Sequence, residues 1–211
     1  MASNERRPEQ FGRTVKKLTD PKALRALAHP TRLALLGQLR IRGQLTATQA
    51  GELIGESSAS CSFHLRQLAK YGLVEESGGG QGRERPWRAT TMFTSWPEVP
   101  GDPSVDAATD LLRNVIVDHY MADLTRWFEA RPNEPEAWQR AAQFGDTFLY
   151  VTADELAELG ERARELVDGY IPRQTDPTLR PPGARLVSYL HIAHPVIDRP
   201  SREQNVQDDG D

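Results

Sequence analysis

Ser58, Ala59, Ser62, Phe63 and Arg66 fall together on one side of the segment from Ser57 to Tyr71, in which the apolar residues Cys61, Leu65 and Leu68 recur at i, i+4 and i+7. In a helix of 3.6 residues per turn this spacing buries the Cys61 side and turns the small, polar side outward. Small residues let a helix lie deep in the major groove of a duplex, serine hydroxyls bond base edges or phosphates, and an arginine fork matches guanine or phosphate. His64 flanks the apolar stripe, from where it packs inward or reaches a phosphate. A second set follows in the chain. Arg83, Arg85 and Arg88 lie beside the run Ser77-Gly78-Gly79-Gly80-Gln81-Gly82, and arginines on such a loop follow a backbone or enter a narrow minor groove. Taken alone, each set also suits a solvated surface, so the elements that hold them decide the matter.

Those elements follow from caps and periodicity. Leu24, Leu27, Leu33, Leu36 and Leu39 recur at helical spacing with a break at Pro30. This predicts a short helix ending near His29 and a second from Pro30 to about Arg42, stopped by Gly43. Thr46 with Gln49 has the capping-box pattern and opens a third helix holding Ala50, Leu53 and Ile54, ended by Gly55. A tight turn at Gly55-Glu56 leads into the helix from Ser57 to Tyr71, which Gly72 ends. Leu73 to Glu76 and Arg83 to Ala89 read as two strands around the glycine-rich loop, with Trp87 packed beneath. Two supporting helices, a short helix, a tight turn, a polar-faced helix and a hairpin make up a winged helix-turn-helix.

The stretch DPKALRALAHPTRLALLGQLRIRGQLTATQAGELIGESSASCSFHLRQLAKYGLVEE resembles the winged helix-turn-helix of the arsenic-repressor (ArsR) family of bacterial transcription regulators. AHPTRLALL in the second helix, ATQAGELIG in the third, SxSFHLRQLxxxGLV in the recognition helix and RERPWR in the wing carry the resemblance, over roughly residues 18–92. It implies a homodimer on a twofold-related operator in double-stranded DNA, usually a repressor released by an effector. The chain departs from the family in three places. ELIGESSAS lacks the cysteines of the metal-sensing branch, Phe63 replaces a commonly found histidine, and a long extension follows residue 100.

Charge divides along the same line. The first 90 residues hold 15 Lys+Arg against 8 Asp+Glu, whereas the remainder holds 11 against 22. A positive module suits a polyanion, and an acidic remainder turned away from it keeps the molecule soluble. No window approaches the ~18 apolar residues of a bilayer span and the N-terminus lacks the apolar centre of a signal peptide, so a cytoplasmic protein with no membrane partner is expected. Cys61 is the single cysteine, which excludes paired-cysteine zinc motifs. His29, His119, His191 and His194 form no ligand set, and GxGxxG after a strand, GxSxG and HExxH are all missing. No metal, cofactor or catalysis is expected.

The expected fold class is mainly α (α+β): an N-terminal winged helix-turn-helix and a helical C-terminal dimerisation region with a small two-stranded sheet. Val105, Ala108, Leu112, Val115 and Ile116 begin a long helical stripe reaching about Ala130 and are assigned to the dimer interface. The sheet is expected from 147–151 and 184–192, with a second capping box at Thr152 and Glu155 between them. The proline-rich run SWPEVPGDPS reads as a linker. The division is then a flexible basic arm at 1–19, the winged helix at 20–93, a linker at 94–104, a dimerisation and effector region at 105–198 and a disordered tail at 199–211. Arg6, Arg7, Arg13, Lys16 and Lys17 belong to the arm. Trp127, Trp138, Phe144, Phe148, Tyr150 and Tyr189 line a small-molecule pocket or pack as core, and the sequence leaves open whether an effector exists. Two rivals also stay open: a protein-interaction module, and a small-molecule-binding protein whose winged helix is secondary.

Overall fold

A computed structural model describes residues 15–79, 85–97 and 101–197. The chain forms two compact units, Met1–Asp146 and Thr147–Asp211. In the first, Asp20 caps helix α1 (Pro21–Leu27) by accepting from the Lys22 amide, and helix α2 (Pro30–Arg42) starts on its proline as expected. Helix α3 (Ala47–Ile54) carries the reciprocal Thr46–Gln49 capping box and ends at Gly55. The Ser57 hydroxyl accepts from the Ser60 amide to open helix α4 (Ser58–Lys70). Strands β2 (Val74–Glu76) and β3 (Trp87–Ala89) pair antiparallel, with Glu75 opposite Arg88. Leu45 and Trp87 exchange backbone hydrogen bonds at 3.0 and 2.8 Å, which ties the hairpin to the start of α3. Leu24 and Leu27 of α1, Leu35, Leu36 and Leu39 of α2, and Cys61, Leu65 and Leu68 of α4 make the centre of one core, closed by Leu73, Val74 and Trp87.

Two segments read as loose in the sequence are built into this unit. Val15–Lys17 forms strand β1, parallel to β4 (Phe93–Ser95), and the Leu18 amide donates to the Ser95 carbonyl at 2.8 Å. The expected arm is thus structured from Val15, because Leu18 is buried and draws the preceding residues onto a strand edge. Residues 94–104 likewise do not separate domains. Trp96 packs on the core, and Asp102 and Pro103 are the cap and first residue of helix α5 (Pro103–Ala130). Proline and glycine mark a helix start here, not a linker.

Helix α5 alters the dimer assignment. Ala108 and Leu112 are fully buried in the winged-helix core, and Val105 and Ile116 pack against its edge. The stripe needed a facing surface, and over its first three turns α1 and α2 of the same chain provide it. Further along, Val117, Met121 and Phe128 are exposed and Leu124 is half-buried. These four stand at i, i+4, i+7 and i+11, turned away from Ala108 and Leu112. A short helix α6 (Glu136–Ala141) follows.

In the second unit the Thr152–Glu155 capping box opens helix α7 (Ala153–Asp168), and a short helix α8 (Pro172–Thr175) comes next. The fold is mainly α with small two-stranded sheets, as expected, but those sheets are β1–β4 and β2–β3. Residues 147–151 and 184–192 run without regular structure instead of pairing. Their side chains lie open to solvent, so nothing within this unit supplies the covered face a strand needs. Among the described residues beyond Leu112, none is buried.

Because Leu112 fills the core, Leu112→Ala is expected to destabilise the winged-helix unit by about 2–5 kcal/mol in urea unfolding followed by tryptophan fluorescence. A variant of unchanged stability whose subunits separate would return Leu112 to a subunit interface.

Candidate nucleic-acid interface

The orientation of α4 is fixed at its start. The Glu56 amide donates to the Gly51 carbonyl at 3.0 Å, and a Cβ on Gly51 would stand 2.5 Å from the Glu56 carbonyl oxygen, so α3 and its turn meet where only glycine fits. Gly55 makes the reversal at φ 74°. The Thr48 and Ser58 hydroxyls share a hydrogen bond at 3.1 Å between α3 and α4. From there Cys61, Leu65 and Leu68 point into the core.

The opposite side of α4 exposes Ala59, Phe63, Arg66 and Lys70, with Ser62 half-buried at its margin. Phe63 keeps 53% of its surface accessible, an unusual state for an aromatic in the middle of a helix. Lys70 completes the row at i+4 from Arg66, one turn beyond the residues that the spacing of polar positions assigns to it. Two assigned residues leave this row. Ser58 is exposed but engages Thr48. His64 turns to the other flank, where its ring lies 4.6 Å from that of His29 and 5.2 Å from that of Phe63.

Several cations that give the N-terminal part its charge have internal tasks. The Lys16 amine donates to the Tyr71 and Gly72 carbonyls at 2.9 and 2.7 Å, placing a positive charge on the C-terminal end of α4, where the helix dipole favours it. Lys16 is therefore a helix-end cation and not part of a loose phosphate-binding arm. Arg40 donates to the Thr91 carbonyl, and burial lowers its pKa to about 10. On the hairpin Arg85 pairs with Glu76 at 2.9 Å and Arg88 with Glu75 at 2.7 Å, all four side chains well exposed. Arg83 lies outside the described residues. Burial, aided by Glu56, pushes the Cys61 thiol up, which keeps it protonated.

Residues 27–77 match the family model of a helix-turn-helix domain. Comparison with curated proteins gives no match. The chain therefore carries a helix-turn-helix domain, the class of module through which transcription regulators engage duplex DNA. No described helix is long and apolar enough to cross a membrane, and no group of three or more His, Cys, Asp and Glu suited to a metal occurs among the described residues.

His29 and His64 make stability depend on pH. Burial and then the Arg32 guanidinium lower both pKa values from 6.5, with Glu56 opposing, and both Nδ1 atoms are buried without a hydrogen-bond partner among the described residues. The unfolded chain then binds protons more readily than the folded one, so stability is complete above pH ~6.5 and is lost as pH falls towards the lowered folded values. The urea midpoint of the wild type is expected to drop between about pH 7.5 and pH 5.5, and the His29→Asn, His64→Gln double variant to flatten that slope. A midpoint that rises on acidification would overturn the assignment.

Proposed function

We propose that this protein is a sequence-specific DNA-binding transcription regulator of the arsenic-repressor type, acting in the bacterial cytoplasm as a homodimer on a twofold-related operator, as a repressor. The row Ala59, Phe63, Arg66 and Lys70 on α4, presented beside the β2–β3 hairpin, is the observation that carries this reading. Ala59 is small enough to admit close approach, and Phe63 offers an apolar contact for a thymine methyl. Arg66 reads a base edge, and Lys70, at the helix end, meets phosphate. Ser62 supplies a hydroxyl at the margin. Arg85 and Arg88 contact the backbone from the hairpin by exchanging Glu76 and Glu75 for phosphate.

One winged helix spans few base pairs, so specific binding calls for two copies. The exposed seam of Val117, Met121, Leu124 and Phe128 supports such a pairing, since the 4-3-4 spacing is the one by which helices pack side by side. In this reading the interface assigned to Val105, Ala108, Leu112, Val115 and Ile116 moves about three turns along α5.

Arg66→Ala is expected to cost about 1–3 kcal/mol of preference for a selected operator over a scrambled duplex, measured by fluorescence anisotropy. Glu76→Gln, which frees Arg85, should tighten binding to both duplexes alike. Equal losses on both duplexes for Arg66→Ala would reassign it to phosphate, and a wild type with no salt-sensitive affinity for any duplex would sink the proposal.

A further inference from the structure

Three aromatic rings stand in line from the α1–α2 joint to the open face of α4. The His29 ring, at the cap position of α2, lies 4.6 Å from that of His64. The His64 ring in turn lies 5.2 Å from that of Phe63 at 75°, an edge-to-face contact. Consecutive residues on a helix project about 100° apart and do not ordinarily face each other. A ring contact between residues 63 and 64 therefore means that Phe63 leans along the surface of α4 towards the flank on which His64 stands. One turn earlier in the row, Ala59 offers only a methyl group. His64 is the aromatic brace of a side chain that keeps 53% of its surface open.

The brace matters because of what Phe63 has to read. The C5 methyl of thymine is the apolar group on the major-groove edge of a base pair and is a single carbon wide. Covering one such carbon is worth roughly fourfold in affinity. A phenyl ring free to swing covers it part of the time, whereas a ring held before binding covers it in every complex.

The brace also has a condition. Both imidazole Nδ1 atoms and the Arg32 Nε are buried with no hydrogen-bond partner among the described residues, so no acceptor stands ready there for an added proton. The charged groups that act on the rings are Arg32 on α2 and Glu56 in the turn before α4, and Tyr71 at the end of α4 acts on Arg32. Burial first, and then Arg32, disfavour an imidazolium at His64, while Glu56 opposes them. A second proton on His29, 4.6 Å away, adds like-charge repulsion. The phenyl face attracts a cation, but weakly at so exposed a ring. Acid therefore drives the His64 ring out towards water and takes the support from Phe63.

We propose that His64 is a positioning residue of the DNA-reading face: neutral and backed by His29, it fixes the Phe63 ring over a thymine methyl, so that preference for thymine at that step is present at neutral pH and released by acid. This rests on the DNA-binding reading of the preceding section and adds to it a named base group and a control.

The test uses the full-length protein and a duplex selected from a random pool, in which each thymine in turn is replaced by deoxyuridine, which lacks only the methyl group. Anisotropy titrations at constant ionic strength read the ratio of the two affinities between about pH 7.5 and pH 5.5, with circular dichroism restricting the series to folded samples. At the upper pH one thymine is expected to be preferred over deoxyuridine about fourfold, and at the lower pH the ratio to fall to about one. Phe63→Ala is expected to show no preference at either pH. His64→Phe keeps a ring, removes the titrating group and breaks no hydrogen bond of Nδ1, so it should hold the preference throughout, whereas His64→Ala should lose it throughout. A wild-type preference that ignores pH, or one that survives His64→Ala, overturns the positioning role. Indifference to the methyl at every thymine overturns the Phe63 contact itself. A readout without DNA separates this proposal from the reading beneath it. In NMR spectra of the free protein, the Phe63 ring resonances are expected to move with the His64 titration below pH 6.5. If they do so while no duplex is bound, the DNA reading fails and the thymine contact with it, but the brace stands. If a duplex is bound specifically and the Phe63 ring is blind to His64, only this proposal fails.

Discussion

Everything the α4 surface can do depends on the burial of its other side. Cys61, Leu65 and Leu68 are locked among the leucines of α1 and α2, and fully burying a leucine contributes about 1.5–3 kcal/mol. That ridge fixes the rotation of α4 about its own axis, which decides that Phe63 and Arg66 face outward and His64 faces His29. A rotation of one residue, 100° in an ideal helix, would turn a different set outward. The same core recruits the first half of α5 through Ala108 and Leu112, so the helix-turn-helix domain and the start of α5 form one packed body.

Charge in the first unit is divided between holding the fold and facing outward. Lys16 and Arg40 act on backbone carbonyls, one at the end of α4 and one at the turn before β4. Arg66 and Lys70 are exposed on the open face of α4. Arg85 and Arg88 hold an intermediate position, paired with carboxylates in water, where such pairs contribute little and exchange easily. Net charge alone therefore overstates the positive surface available to a polyanion.

Local signals in the sequence were reliable because each is settled within a few residues. The two capping boxes, the proline at the start of α2, the Gly55 reversal and the Cys61–Leu65–Leu68 stripe need no distant partner to be recognised. What escaped was non-local. Strand β1 is three residues long and exists through β4, far off in the chain. The periodicity of α5 announced an apolar face at Leu112 but was silent on whether another chain or the same one would cover it. The strand expected at 184–192 rested on composition alone, whereas a strand is defined by its neighbour, and that segment has no regular structure. Lys70 stands at i+4 from Arg66 in the last turn of α4, where a lysine reads equally as a helix-end cation, so its type alone does not assign it to the row.

The contact between Gly51 and the Glu56 carbonyl has a further meaning. With 2.5 Å left for a Cβ, the turn joining α3 and α4 has no slack, and the two helices present their surfaces as a single rigid die. A rigid die pressed against a duplex leaves the duplex as the compliant party. Part of any discrimination among duplexes then resides in how cheaply particular base steps bend or twist to meet the protein, at positions that no side chain touches.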